Sequence, residues 1–261
     1  MRNEHNGLQH LEIISTYIVL FVAALLSGFI DAIAGGGGLI ALPALLAVGV
    51  PPQIALGTNK FQSSFGSFTA SLYYWRKGYV DLRKACAGIL FTFIGAAIGA
   101  WAVQQLQTEI LGDIIPVLLF IIALYTILTP SLGHREHVPQ ISAGLFFVVA
   151  GITFGFYDGF FGPGVGSFWA IAFVLLLGFD LQRATGYTKV MNFTSNIVSL
   201  IVFAIGGSIW FLHGIAMAVG QIIGARIGAR LAVKKGIAVI RPLYIIVVLA
   251  TIAKLLYDRF F

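Results

Sequence analysis

Charge is what this sequence has least of. Asp, Glu, Lys and Arg together make up 10% of its 261 residues, against about 25% in an ordinary soluble domain. A surface facing water cannot be assembled from so few charges, and the mean hydropathy of +0.95 says the same. Cysteine is nearly missing too: Cys86 stands alone, which excludes an intrachain disulfide and a thiolate metal cluster. Histidine is sparse, with His134 and His137 in a central polar stretch and His213 near an expected membrane interface. No pair has ligand spacing, so neither a metal nor any other cofactor is expected. Room is short as well. At roughly 20 apolar residues per spanning helix, ten spans leave only short loops and no space for a soluble catalytic domain. The formal charge of +6 belongs to loops, where Lys and Arg mark the cytoplasmic side. The partner it implies is a lipid bilayer, not a nucleic acid. The first apolar stretch, about 14–34, is too long for a signal-peptide core and reads as a retained helix.

What is present is a repeat. Gly28-Phe-Ile-Asp31-Ala-Ile-Ala-Gly35 resembles Gly155-Phe-Tyr-Asp158-Gly-Phe-Phe-Gly162, an offset of 127 from Asp31 to Asp158. Thr58-Asn59-Lys60 faces Tyr187-Thr188-Lys189 at an offset of 129, and Ser63 faces Asn192 in the same register. The run Ile94 to Ala100 matches Ile223 to Ala229 at all but one position, again 129 apart. A compositional bias can mimic one match but not a register held across three. The chain reads as an internal duplication, residues 1–133 and 134–261.

Each half offers five apolar segments, at about 14–34, 37–50, 57–75, 85–103 and 112–129, then 140–157, 164–178, 187–206, 209–229 and 238–257. The expected fold is therefore all-α, a polytopic membrane protein of two repeats with about five transmembrane helices each. An odd number of spans inverts one repeat relative to the other, and the charges agree. The loop around Arg76, Lys77, Arg83 and Lys84 is basic, whereas its counterpart from Ile205 to His213 has no formal charge. Between segments four and five the asymmetry reverses, with Glu109 and Asp113 in the first half against Lys234, Lys235 and Arg241 in the second. The positive-inside rule places both basic loops in the cytoplasm and the termini outside.

Inverted repeats with interrupted helices point to a substrate site at their interface. The interruptions are Gly35-Gly36-Gly37-Gly38 and Gly162-Pro163-Gly164-Val165-Gly166. Each glycine costs up to about 1 kcal/mol against alanine in a helix, and backbone groups freed in lipid need other partners. Such breaks are expected to turn N–H groups and a positive helix end towards a ligand, and an anion suits them. Gly95, Gly99, Gly220, Gly224 and Gly228 have the spacing of close helix packing instead. Lys60, Ser63, Ser64, Ser67 and Ser71 form a polar stripe, answered by Lys189, Asn192, Asn196 and Ser199. Ser71 and Ser199 are read as interhelical hydrogen-bonders. The lysines either snorkel to the interface or, recurring at matched positions, face the site. The candidate substrate-binding set is Gly35, Gly36, Gly37, Gly38, Asn59, Lys60, Ser63, Gly162, Gly164, Thr188, Lys189 and Asn192. Asp31 and Asp158 either couple transport to an ion, proton or sodium, or cap helix ends and neutralise lysines. No nucleophile–base pair is found, so an enzyme is not expected.

These motifs, Asp31 through Gly38, Pro43, Pro51, Thr58-Asn59-Lys60 and Gly155 through Gly164, resemble those of the sulfite exporter TauE/SafE family, also called the toluene sulfonate uptake permease family. The likeness covers nearly the whole chain. It implies a bacterial inner-membrane, multi-pass permease for sulfite, sulfonates or related sulfur-containing anions, ion-coupled, with the glycine breaks and the Asn59/Lys60 and Thr188/Lys189 positions as its site. The expected mechanism is alternating access, with a channel-like anion conduit as the alternative. The GxxxG faces would permit a homodimer.

Overall fold

The computed structural model describes residues 2–128 and 138–235, with side chains for 14–125 and 138–234. Among these residues the regular structure is α-helical: α1 (Arg2–Ala34), α2 (Gly38–Ala47), α3 (Pro52–Arg76), α4 (Leu82–Gln104), α5 (Thr108–Leu128), α6 (Ala143–Phe160), α7 (Val165–Leu177), α8 (Leu181–Ile205) and α9 (Phe211–Lys235). Among the described residues six stretches are long and apolar enough to cross a membrane: Ile14–Ala34, Leu82–Gln104, Thr108–Tyr125, Ala143–Phe160, Leu181–Ile205 and Phe211–Lys234. The expected segment 238–257, the stretch holding His134 and His137, and the 133/134 boundary lie outside the described residues.

Helix starts differ from the sequence expectation for capping reasons. α3 begins at Pro52 rather than 57, because proline at the first helical position gives up no hydrogen bond. α8 begins at Leu181 rather than 187, where the Asp180 carboxylate accepts from the N–H groups of Gln182 and Arg183. Asp81 caps α4 in the same way, through Arg83 and Lys84. The breaks fall where the glycines stand. Gly35 and Gly36 at φ 76° and 98°, and Gly162 and Gly164 at φ 100° and 84°, adopt backbone that other residues avoid. The helices that follow are short. With 10 residues in α2 and 13 in α7, they measure about 15 and 20 Å, less than the roughly 30 Å hydrocarbon core.

The solvent-facing and interior chemistries are exchanged relative to a soluble protein. Ile18, Leu90, Trp101, Val117, Val149 and Ile215 are each more than half exposed, whereas Lys60, Gln62, Lys189 and Asp158 are buried. Only a hydrocarbon solvent stabilises that arrangement.

Small residues let the helices approach. A Cβ at Gly95 would lie 2.4 Å from the Ile152 carbonyl oxygen, and one at Gly99 2.1 Å from that of Phe156, so α4 and α6 pack backbone to backbone. α9 meets α1 likewise, Gly224 against the Leu25 carbonyl at 2.0 Å and Gly228 against that of Phe29 at 2.2 Å. These pairs keep the sequence offsets: Gly95 and Gly224 are 129 apart, Ile152 and Leu25 are 127 apart. Hydrogen bonds repeat too. Gln53 Nε2 donates to the Gln104 carbonyl at 3.3 Å, and Gln182 Nε2 donates to that of Val233 at 3.4 Å. Trp210 N–H donates to Thr58 Oγ1, and Asp81 N–H donates to Tyr187 Oη. The main contacts between elements of the first half and elements of the second recur with the roles exchanged, α1 on α9 as α6 on α4 and α3 on α9 as α8 on α4. α3 and α8 pack on one another at the centre of this arrangement.

Candidate substrate site

The early starts of α3 and α8 make Lys60 and Lys189 the ninth residues of their helices, more than two turns inside. Neither snorkels: both are buried, with relative exposures of 1% and 0%. An ionised side chain costs about 2.5–3.5 kcal/mol at a helix centre on insertion scales, so each needs a counter-charge. The counter-charges come from the opposite half. Lys60 Nζ on α3 pairs with Asp158 Oδ1 on α6 at 2.5 Å. Lys189 Nζ on α8 pairs with Asp31 Oδ2 on α1 at 3.1 Å. The aspartates thus neutralise lysines, and Asp31 also caps the first break by accepting from Gly37 N–H at 3.4 Å.

The breaks are braced from several directions. Ser27 Oγ donates to the Gly37 carbonyl at 2.8 Å and itself accepts from Gln221 Nε2 at 3.0 Å. Tyr157 Oη donates to the Pro163 carbonyl at 2.6 Å, and Ser167 Oγ to that of Ala34 at 3.3 Å. The breaks also touch: a Cβ at Gly35 would fall 2.5 Å from the carbonyl carbon of Gly166. Among the described residues, the N–H groups of Gly36, Gly38, Gly164 and Gly166 donate to no protein acceptor. α2 and α7 therefore begin with free donors, at the positive ends of their dipoles.

These groups converge on a narrow polar cavity with about 30 Å³ open to the centre of a water molecule. That is room for one or two waters. Of the residues singled out from sequence, Asp31, Gly36, Gly37, Gly38, Asn59, Lys60, Ser63, Asp158, Gly162, Gly164 and Asn192 line it. Gly35 does not, being pressed on Gly166. Thr188 does not either, and its buried Oγ1 has no partner. Lys189 stands behind Asp31. Asn196 and Gly166, noted in the stripe and the glycine run, also reach the cavity. Asn192 is buried at the cavity; its Oδ1 accepts from no protein donor, and its Nδ2 lies beside Gly166, 3.1 Å from where a Cβ there would stand.

Sequence reasoning missed Ser27, Gln221 and Ser195, whose hydroxyl donates to Asp158 Oδ2. Ser195 continues the Asn192/Asn196 stripe at a three-residue step, and Ser27 precedes Asp31 by one turn, so helical spacing carried a signal. Gln221 carried only its polarity in an apolar helix. Ser71 and Ser199 were expected to join helices, but neither buried hydroxyl reaches a partner. Ser64 and Ser67 bond back to carbonyls one turn earlier on their own helix. Among the described residues, no group of three or more His, Cys, Asp or Glu could hold a metal ion.

Comparison with known proteins places the chain. Residues 20–255 match the family described as sulfite exporter TauE/SafE. A probable membrane transporter protein of Escherichia coli K12, YfcA, is 48% identical over 92% of this chain and 89% of its own. A probable membrane transporter protein of Haemophilus influenzae is 44% identical over 92% and 94%, and YunE of Bacillus subtilis, also a probable membrane transporter protein, is 23% identical over 94% and 99%. No solved structure matches. The helices, the inside-out burial and these relatives agree that this is a multi-pass membrane transporter, not an enzyme, and the chain belongs to the sulfite exporter TauE/SafE family.

Proposed function

We propose that the chain is a secondary transporter for a small oxyanion, sulfite, a sulfonate or a related sulfur-containing anion, working by alternating access in a bacterial cell membrane. The carrying observation is the convergence of unpaired N–H groups at Gly38, Gly164 and Gly166, the Asn192 Nδ2 beside Gly166 and the Lys60 ammonium on one cavity. Amide donors at helix starts beside a cation favour a negative guest. An oxyanion offers several acceptors to such donors, and the family description names one in sulfite.

In this reading the two halves lie in opposite orientations, related by an axis in the membrane plane between α3 and α8. The cargo sits at that axis, and rocking of the halves exposes it to each side in turn. The reciprocal contacts at offsets of 127 and 129 and the alternation of basic loops support the inversion.

Uptake of labelled sulfite and methanesulfonate into proteoliposomes tests the proposal with wild type, Lys60→Ala and Asn192→Ala. Saturable uptake, weakened in both variants, is expected. If neither anion moves, or if both variants transport as wild type does, the site is wrong. Flux that rises linearly with concentration and resists counterflow would identify a conduit instead.

A further inference from the structure

We infer that the two ion pairs have different tasks: Asp31 is the exchanging carboxylate, releasing Lys189 to the anion as it takes up a proton, while Asp158 stays clamped to Lys60. This rests on the anion-transport reading above.

The need for exchange follows from the charge balance. Two lysines and two aspartates leave the site with no net charge. An arriving monoanion adds one unit of negative charge beside two carboxylates, in a cavity that holds too little water to screen it. One proton on one carboxylate restores neutrality. The anion's oxygen replaces the carboxylate on the ammonium, and the carboxylate gains an O–H bond to a proton supplied by water on the open side. No electrons move, and the cargo and proton leave together.

Which carboxylate exchanges is decided by the asymmetry of the pairs. Asp158 is held at every oxygen it offers. Its Oδ1 pairs with Lys60, its Oδ2 accepts from Ser195, and its backbone carbonyl accepts from Lys60 as well. Gly162 closes over that ammonium so tightly that a Cβ there would lie 2.7 Å from Nζ. Asp31 has no such clamp. The position equivalent to Ser195, 129 residues earlier, is Gly66, which offers no hydroxyl. The space beside Gly66 is filled by Gln221, whose Oε1 would be 2.4 Å from a Cβ there and whose amide is directed to Ser27 instead. Asp31 keeps one ion-pair contact at 3.1 Å and one long backbone bond at 3.4 Å. Its side chain is 21% exposed where that of Asp158 is 3%. Asp31 lines the cavity and Lys189 does not, so an anion reaches Lys189 only when Asp31 moves aside.

The groups around Asp31 leave it as the acceptor. α8 brings Lys189. α3 brings Lys60, which is engaged with Asp158, and Tyr74, whose hydroxyl donates to the Ala32 carbonyl. α2 and α7 carry no titratable side chain. α9 brings neutral Gln221, its Arg226 and Arg230 being exposed on the outer face.

The test uses the full chain in lipid and methanesulfonate, whose charge does not change across neutral pH, with sulfite in parallel. Infrared difference spectra on anion addition should show a carboxylic-acid band that shifts in heavy water. The band should be present in wild type and in Ser195→Ala, which keeps both pairs, moved in frequency in Asp31→Glu but not in Asp158→Glu, and missing in Asp31→Asn. Anion affinity should fall about tenfold per pH unit on the alkaline side in wild type and become flat in Asp31→Asn. A band that survives in Asp31→Asn, or that is unmoved in Asp31→Glu, overturns the inference while leaving anion transport standing. Binding of neither anion by folded wild type overturns the transport reading, and this inference with it.

Discussion

Lys60 of α3 and Asp158 of α6 form an ion pair at 2.5 Å, both side chains almost wholly buried. Such a pair is costly to break and cheap to replace. Lys60→Met strands a carboxylate and should lower stability by about 3–5 kcal/mol, whereas adding Asp158→Leu should return most of that loss. Thermal unfolding in detergent measures both. Neither protein should transport. If the double variant is no more stable than the single one, the pair is not what holds α3 to α6.

Asn192 should separate binding from folding. Its Oδ1 accepts from no protein donor and its Nδ2, beside Gly166, is the atom that donates to an anion, so Asn192→Ala sacrifices little in the empty protein. A hydrogen bond to a charged group contributes about 1.5–3 kcal/mol, and its loss should weaken anion affinity roughly ten- to hundredfold. Isothermal titration with methanesulfonate or sulfite, paired with a melting curve, checks both parts. A collapsed melting temperature with unaltered affinity would assign the amide to the scaffold.

The helix contacts make an opposite pair of predictions about glycine. At Gly99 and Gly224 an added methyl would lie 2.1 and 2.0 Å from a carbonyl oxygen of the facing helix. Gly99→Ala or Gly224→Ala should destabilise by at least about 1–3 kcal/mol. Gly144, in the first turn of α6, has nothing within 4 Å, and Gly144→Ala should stabilise by up to about 1 kcal/mol. The same unfolding assay ranks the three.

Orientation is open to chemical labelling. In a Cys86→Ser background, Lys77→Cys and Leu212→Cys place thiols at equivalent helix junctions of the two halves, both at exposed positions. A membrane-impermeant maleimide should modify Leu212→Cys on intact cells and Lys77→Cys only after permeabilisation. Modification of both from the same side would rule out inverted halves.

The parts of the site that were legible in the sequence are those a bilayer makes expensive. Consecutive glycines, a lysine or an aspartate inside a hydrophobic run demand a compensating reason, so Gly35 to Gly38, Lys60, Lys189, Asp31 and Asp158 announced themselves. Ser27, Ser195 and Gln221 did not, because a single uncharged polar residue is tolerated in a membrane helix with little penalty. The repeat identified equivalent positions but not neighbours. Nothing in the offsets says that Asp31 faces Lys189 rather than Lys60, since that depends on how α1 and α6 pack across the halves. Helix starts were misplaced where proline and aspartate caps, rather than hydropathy, set the boundary.

The exchange of counter-charges between halves has a consequence for how the protein is made. Lys60 and Asp158 are 98 residues apart, and Asp31 and Lys189 are 158 apart. At about 5–20 residues per second, roughly 5–20 s pass between synthesis of Lys60 and of the aspartate that neutralises it. Through that interval the nascent amino-terminal helices carry ions whose final companions do not yet exist. Neither half completes its charge pairing in the lipid until its counterpart has been made and inserted.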